Sequence, residues 1–120
     1  MRALSIRQPW AYLIAHGIKP VENRTWPTRV RGPVLIHAGR RIDADGVEWI
    51  RENMPDVILP AFYPIGGIVG IATLTDCVTD HPSPWFFGPY GFVFADARPL
   101  APTPARGKLG FFDVDMEVRP

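Results

Sequence analysis

The sequence predicts an α+β domain in which five or six short strands, with two or three short helices, curl into a small, partly closed barrel. Three observations carry that expectation. The chain has 120 residues, 47% of them hydrophobic, which is the size of one compact domain with one modest core, spanning residues 1–120. Fourteen prolines and eleven glycines cut it into short pieces, which disfavours a long-helix bundle and favours strands joined by turns. Short strands expose unpaired edges, and curling the sheet towards closure removes them.

Each element has its own signal. Ala3-Leu4-Ser5-Ile6 alternates weakly and fits a first strand. Pro9 suits the first helical position, Trp10, Leu13 and Ile14 recur at helical spacing, and Gly17 can end the segment as a left-handed cap. Pro33-Val34-Leu35-Ile36-His37-Ala38 is a compact apolar run with one polar residue near its end, as expected of a buried strand that delivers a side chain to a site. Asp43 is a candidate cap for a second helix reaching Asn53, with Val47 and Ile50 three apart and Trp49 beside them. Ile65 to Val78 alternates and is predicted to be the longest strand, entered through a turn or bulge at Gly66-Gly67. Two more strands are expected at Gly91 to Leu100 and Gly110 to Val118, with Pro99 to Pro104 as a stiff connector.

Composition excludes several function classes. No run of about 18 apolar residues exists, so no spanning helix and no membrane partner is expected. Met1-Arg2-Ala3-Leu4 lacks the apolar core of a signal peptide, which makes the cytoplasm the expected location. Cys77 is the only cysteine, so neither an internal disulfide nor a thiolate metal cluster can form. His16, His37 and His81 lack metal-site spacing, and no metal or cofactor is expected. Charge is divided unevenly along the chain. Residues 1–41 hold Arg2, Arg7, Lys19, Arg24, Arg29, Arg31, Arg40 and Arg41 against Glu22 alone, whereas residues 42–120 hold five bases against eleven acids. Either the fold gathers the bases into a positive patch suited to an anion such as a phosphate backbone, or the two sets interleave as surface ion pairs.

The most informative stretch is Gly17-Ile-Lys-Pro-Val-Glu-Asn-Arg24, which contains one of only two lysines in the chain. It starts at the predicted C-terminal end of a helix, where basic groups are favoured by the helix dipole. If Glu22-Asn23-Arg24 enters a strand, Glu22 and Arg24 project from one face and Asn23 from the other. Lys19 can fold over the same face and complete a charged triple. That triple is either a structural ion network or a polar site in which Arg24 holds an oxygen-rich ligand, Lys19 supplies an ammonium or a base, and Glu22 orients both. His37 can face such a site or pack as a core histidine. Trp85-Phe86-Phe87-Gly88-Pro89-Tyr90 offers aromatic faces for stacking a base or for packing a loop, and Trp26 poses the same choice.

Leu4-Ser5-Ile6-Arg7-Gln8-Pro9-Trp10-Ala11, the Gly17-x-Lys19-x-x-Glu22-x-Arg24 signature and Leu35-Ile36-His37-Ala38, in that order, closely resemble the activating signal cointegrator homology (ASCH) domain. Gly88-Pro89-Tyr90-Gly91-Phe92-Val93-Phe94 and Gly107-Lys108-Leu109-Gly110 look like small bacterial and phage members of that family. The resemblance implies a β-barrel related to PUA (pseudouridine synthase and archaeosine transglycosylase) domains, with a cleft beside the signature loop. It also implies association with RNA and, in some members, ribonuclease activity or hydrolysis of acetylated cytidine. Lys19, Glu22 and Arg24 would then line the cleft, with Ser5, Gln8 and Trp10 near its floor and His37 and Tyr90 as further ligand contacts.

One departure bears on chemistry. In the similar acetylcytidine amidohydrolases, a threonine proposed as nucleophile stands where this chain has Glu22, next to a catalytic lysine matching Lys19. A carboxylate attacking an amide would create an anhydride, so Glu22 is better cast as general base or orienter. The leading expectation is therefore a module that binds RNA, a nucleotide or a modified nucleoside. The alternatives are a small hydrolase using Lys19 and Glu22, and a noncatalytic protein-interaction domain. No oligomeric state is implied by these residues.

Overall fold

Eight elements follow one another in the computed structural model, which describes residues 1–119: β1 (Arg2–Gln8), α1 (Trp10–Ala15), β2 (Val21–Arg24), β3 (Gly32–Ile42), α2 (Ala44–Asn53), β4 (Gly67–Val78), β5 (Tyr90–Pro104) and β6 (Phe111–Asp113). The strands form one six-stranded sheet in the order β2-β5-β4-β3-β1-β6. β1 and β3 run parallel, and every other pairing is antiparallel.

The helix ends follow from local chemistry. Gly17 takes a left-handed φ of 72° after α1, its N–H reaches Ile14 O at 3.0 Å, and the Ile18 N–H reaches Leu13 O at 2.9 Å. This is the Schellman arrangement, which only a residue tolerant of positive φ can close. It turns the chain sharply into the signature. At α2, the Asp43 carboxylate caps the helix by accepting from the Gly46 N–H at 2.9 Å.

Three strand boundaries differ from the sequence expectation. The longest strand is β5, not β4, because Pro99 to Pro104 is part of the ladder rather than a connector: Pro99 stands opposite Gly70, and Pro104 opposite Gly67. The register shifts between Ile68 and Gly70, and prolines are tolerated in a sheet at such irregular places, where no donated hydrogen bond is required. β3 continues past Ala38 to Ile42. β6 stops at Asp113; Val114 and Met116 instead accept hydrogen bonds from the Met1 amino group at 2.6 and 3.2 Å, so the tail leaves the ladder to cover the chain start.

The sheet curls without closing. β2 is an edge strand four places from β1, yet Arg24 on β2 donates to the Ser5 carbonyl on β1 at 2.8 Å. Phe92 of β5 likewise stacks on Phe111 of β6, with ring centroids 6.1 Å apart. Inside the curl, Leu4, Ile6, Val34, Ile36, Leu74 and Phe92 form the main core with Ile14 of α1. Ala3, Leu35, Ile68, Ile71 and Phe112 form a second cluster on the other face. Both faces of β1 and β3 are therefore covered, which explains why Val34 to Ala38 reads as continuous rather than alternating hydrophobicity. Each fully buried Leu or Ile contributes about 1.5–3 kcal/mol by leaving water.

Candidate functional site

The turn at Gly17 drives Lys19 inwards. Its side chain is 3% exposed, and Nζ donates to Val21 O at 2.6 Å and to Glu22 Oε1 at 3.3 Å. The other oxygen, Glu22 Oε2, lies 3.1 Å from Arg24 Nη2, the same atom that donates to Ser5 O. One carboxylate therefore holds two cations, and the ladder explains how: Glu22 and Arg24 alternate onto one face of β2, opposite Phe92 and Tyr90 of β5. Burial drives the Lys19 pKa below its ordinary value; Glu22 pulls it back up by charge and hydrogen bonding, Arg24 pushes it down again, and desolvation wins. Two of the three ammonium N–H groups have protein partners, leaving one donor.

These side chains line a cleft of about 490 Å³ at the seam between β2 and β1. The volume is in the range of small-molecule sites. Its β1 wall is Ser5, Ile6 and Arg7, and aromatic rings supply much of the rest. Lys19 Nζ stands 5.4 Å from the centre of the Trp10 ring, and the Arg24 guanidinium stands 5.8 Å from that of Trp26. Both are cation–π distances, so the rings help to hold the cations they face. Trp10 is itself tied down by its indole N–H, which donates to Asp43 Oδ2 at 3.1 Å.

Asn23, expected on the face opposite Glu22 and Arg24 but not as a site residue, organises the rim. Pointing away from Glu22 and Arg24, its amide donates to Trp85 O at 3.0 Å, and its oxygen accepts from the N–H groups of Phe87 and Gly88 at 2.8 and 3.0 Å. The loop so fastened brings Phe87, 63% exposed and edge-on to Trp49, to the cleft. An asparagine alternating with the two charged residues, in a chain with an aromatic Gly-Pro loop, was the only available signal.

Of the residues singled out from sequence, Lys19, Glu22, Arg24, Ser5 and Trp10 converge on the cleft, and Gln8, His37 and Tyr90 stand outside its lining. Gln8 is fully buried, and its amide bridges Pro64 O and the Tyr12 N–H, joining α1 to the loop before β4. His37 is 2% exposed on the other face of the sheet. Its Nε2 lies 2.7 Å from Ala105 O and its Nδ1 2.9 Å from Ser5 Oγ. A carbonyl only accepts, so Nε2 carries a proton and donates to Ala105 O, while Nδ1 shares a hydrogen bond with the Ser5 hydroxyl, which can donate or accept. Tyr90 faces Arg24 across the ladder. Among the described residues, no three His, Cys, Asp or Glu side chains gather as a metal ion would require.

The model of the ASCH domain matches residues 4–92, a span that takes in every cleft residue. The chain belongs to the ASCH domain family. Activating signal cointegrator 1 of Mus musculus is 39% identical over 82 residues, and its Homo sapiens counterpart is 37% identical over 82 residues. Each match covers 63% of this chain but 14% of the relative. The ASCH match ends near the start of β5, so most of β5, the loop that follows and β6 lie beyond it.

Proposed function

We propose that the cleft binds a nucleoside unit of single-stranded RNA. The observation that carries this reading is the convergence, in one cleft, of two desolvated or half-buried cations with aromatic faces. Phe87 offers an exposed ring for stacking, as single-strand RNA readers require, while Arg24 and the remaining Lys19 donor address oxygen atoms of base or phosphate. Membership of the ASCH family supports it, because ASCH domains are associated with RNA binding. Among the described residues no helix is long and apolar enough to cross a membrane. Titrating short RNA oligonucleotides while following tryptophan fluorescence tests the proposal, since Trp10 and Trp26 line the cleft. Binding is expected at low salt, weakened about tenfold or more by Phe87→Ala, as stacking contributes about 1–3 kcal/mol per base. No binding at low salt would sink the reading.

The desolvated lysine beside a carboxylate favours a second reading, hydrolysis of an acyl group carried by the bound base. Glu22 would take a proton from water as the water oxygen bonds to the acyl carbon. The Lys19 ammonium would stabilise the developing oxyanion, and the leaving nitrogen would receive the proton from Glu22 as the carbon–nitrogen bond breaks. Release of acetate from acetylated cytidine, abolished by Glu22→Gln, is the expected result; no release at high protein concentration would exclude it.

A further inference from the structure

Five basic side chains at one end of the sheet have no part in the ion triple. Arg7 lies next to the last residue of β1, Arg40 and Arg41 lie near the end of β3, and Arg106 and Lys108 sit in the loop between β5 and β6; all five are exposed. Parallel pairing of β1 with β3 puts the ends of those strands side by side, with Gln8 opposite Ile42. The β5–β6 loop is fastened at the same end. The Ala105 N–H donates to Gly66 O at 3.2 Å, Ala105 O accepts from His37, and a Cβ on Gly107 would lie 3.2 Å from Ser5 Oγ. Gly66 in turn packs on Arg40, whose Cζ lies 3.4 Å from where its Cβ would be.

Ser5 links this region to the cleft. Its carbonyl binds Arg24 at the seam, while its hydroxyl lies under Gly107, the residue that Arg106 and Lys108 flank in sequence. Arg7 lines the cleft directly. Among the described residues, none of the five has a carboxylate within 4.0 Å. The acid that feels the Arg7 charge, Asp43, has both oxygens occupied, by the Gly46 N–H and the Trp10 indole. Exposed cations without acidic partners are the footprint of a polyanion rather than of surface ion pairing.

We propose that Arg7, Arg40, Arg41, Arg106 and Lys108 form a track for the phosphodiester backbone of a single strand, leading out of the cleft across the ends of β1 and β3. It rests on the nucleoside reading of the cleft and adds the path that the strand takes. Two of its five cations come from beyond the segment matched by the ASCH family.

The test compares a labelled short oligouridylate with free cytidine, using the wild-type chain and the quadruple variant Arg40→Glu/Arg41→Glu/Arg106→Glu/Lys108→Glu. The variant is expected to lose oligonucleotide affinity more than tenfold and to show a log-affinity against log-salt slope shallower by about 3, while cytidine binding stays unchanged. A control, Arg51→Glu/Arg98→Glu, which reverses two arginines outside the track, should change the slope little. An oligodeoxynucleotide should show the same dependence as RNA, because phosphodiesters are what the track contacts. Dependence confined to RNA, equal losses per reversed charge in the control, or an unchanged slope in the quadruple variant would each overturn the track. If cytidine binds but the oligonucleotide binds no more tightly, the track fails and the cleft reading stands. If neither binds at low salt, both fail.

Discussion

Glu22 opposes the effect of burial on Lys19. Replacing it with Gln removes the group that raises the Lys19 pKa, so the Lys19 pKa should fall further below its ordinary value. With two lysines in the chain, NMR titration of the lysine Cε signals resolves the shift directly. The same change leaves a buried cation without its counter-ion and should cost about 3 kcal/mol in urea denaturation. The pH dependence has a definite sign. Folded Lys19 releases its proton below 10.5, whereas the unfolded chain keeps it to about that pH, so the unfolded state binds more protons in the interval between. The cost of burying the ammonium is fully present below the folded pKa, and stability should rise with pH through that interval relative to Lys19→Met. Asn23 works by position rather than charge. Asn23→Ala removes three hydrogen bonds to the loop and should speed amide exchange at Phe87 and Gly88 while costing about 1–2 kcal/mol. No change at those amides would show that the loop holds itself.

The elements differ in how plainly their sequences announce them. Gly17 and Asp43 act through contacts with their own neighbours, so both helix ends were legible. The predicted Gly17 cap can be isolated experimentally: a Cβ there meets nothing within 4 Å, so Gly17→Ala should cost about 1 kcal/mol through its positive φ alone, measured by thermal or urea unfolding. A loss of several kcal/mol would mean that the turn also sets the Lys19 position. The end of β5 reads as a connector in sequence because three prolines normally mark one, and the shifted register with β4 accommodates them in the ladder. β6 was overextended because the Met1 amino group, more than a hundred residues away in sequence, takes the tail carbonyls. The alternation of Glu22, Asn23 and Arg24 was legible for the same reason as the helix caps. The targets of Asn23 were not, since they lie 62 to 65 residues downstream.

At the scale of the whole molecule, the open curl is what makes a cleft. Full closure would pair β2 with the opposite edge of the sheet, β6 and the stretch of β1 beyond it, through backbone hydrogen bonds and leave no space; here the Arg24 side chain spans the seam to Ser5 O, and the ion triple fills one wall. The curled α+β architecture could be read from the breakers and the short strands, but the seam could not, because it depends on which distant edges meet. Strand alternation, with Ile36 and Ala38 facing the main core, places His37 on the outer face, against Phe112. The most direct test of the account is an NMR titration of the labelled chain with a short single-stranded RNA at low salt. Shifts are expected to concentrate at the Trp10 and Trp26 indoles and at the amides of Glu22 to Trp26, Phe87 and Gly88. Shifts confined to surfaces away from the seam, such as the groove between Pro33, Thr73 and Arg98, or no shifts at all, would contradict it.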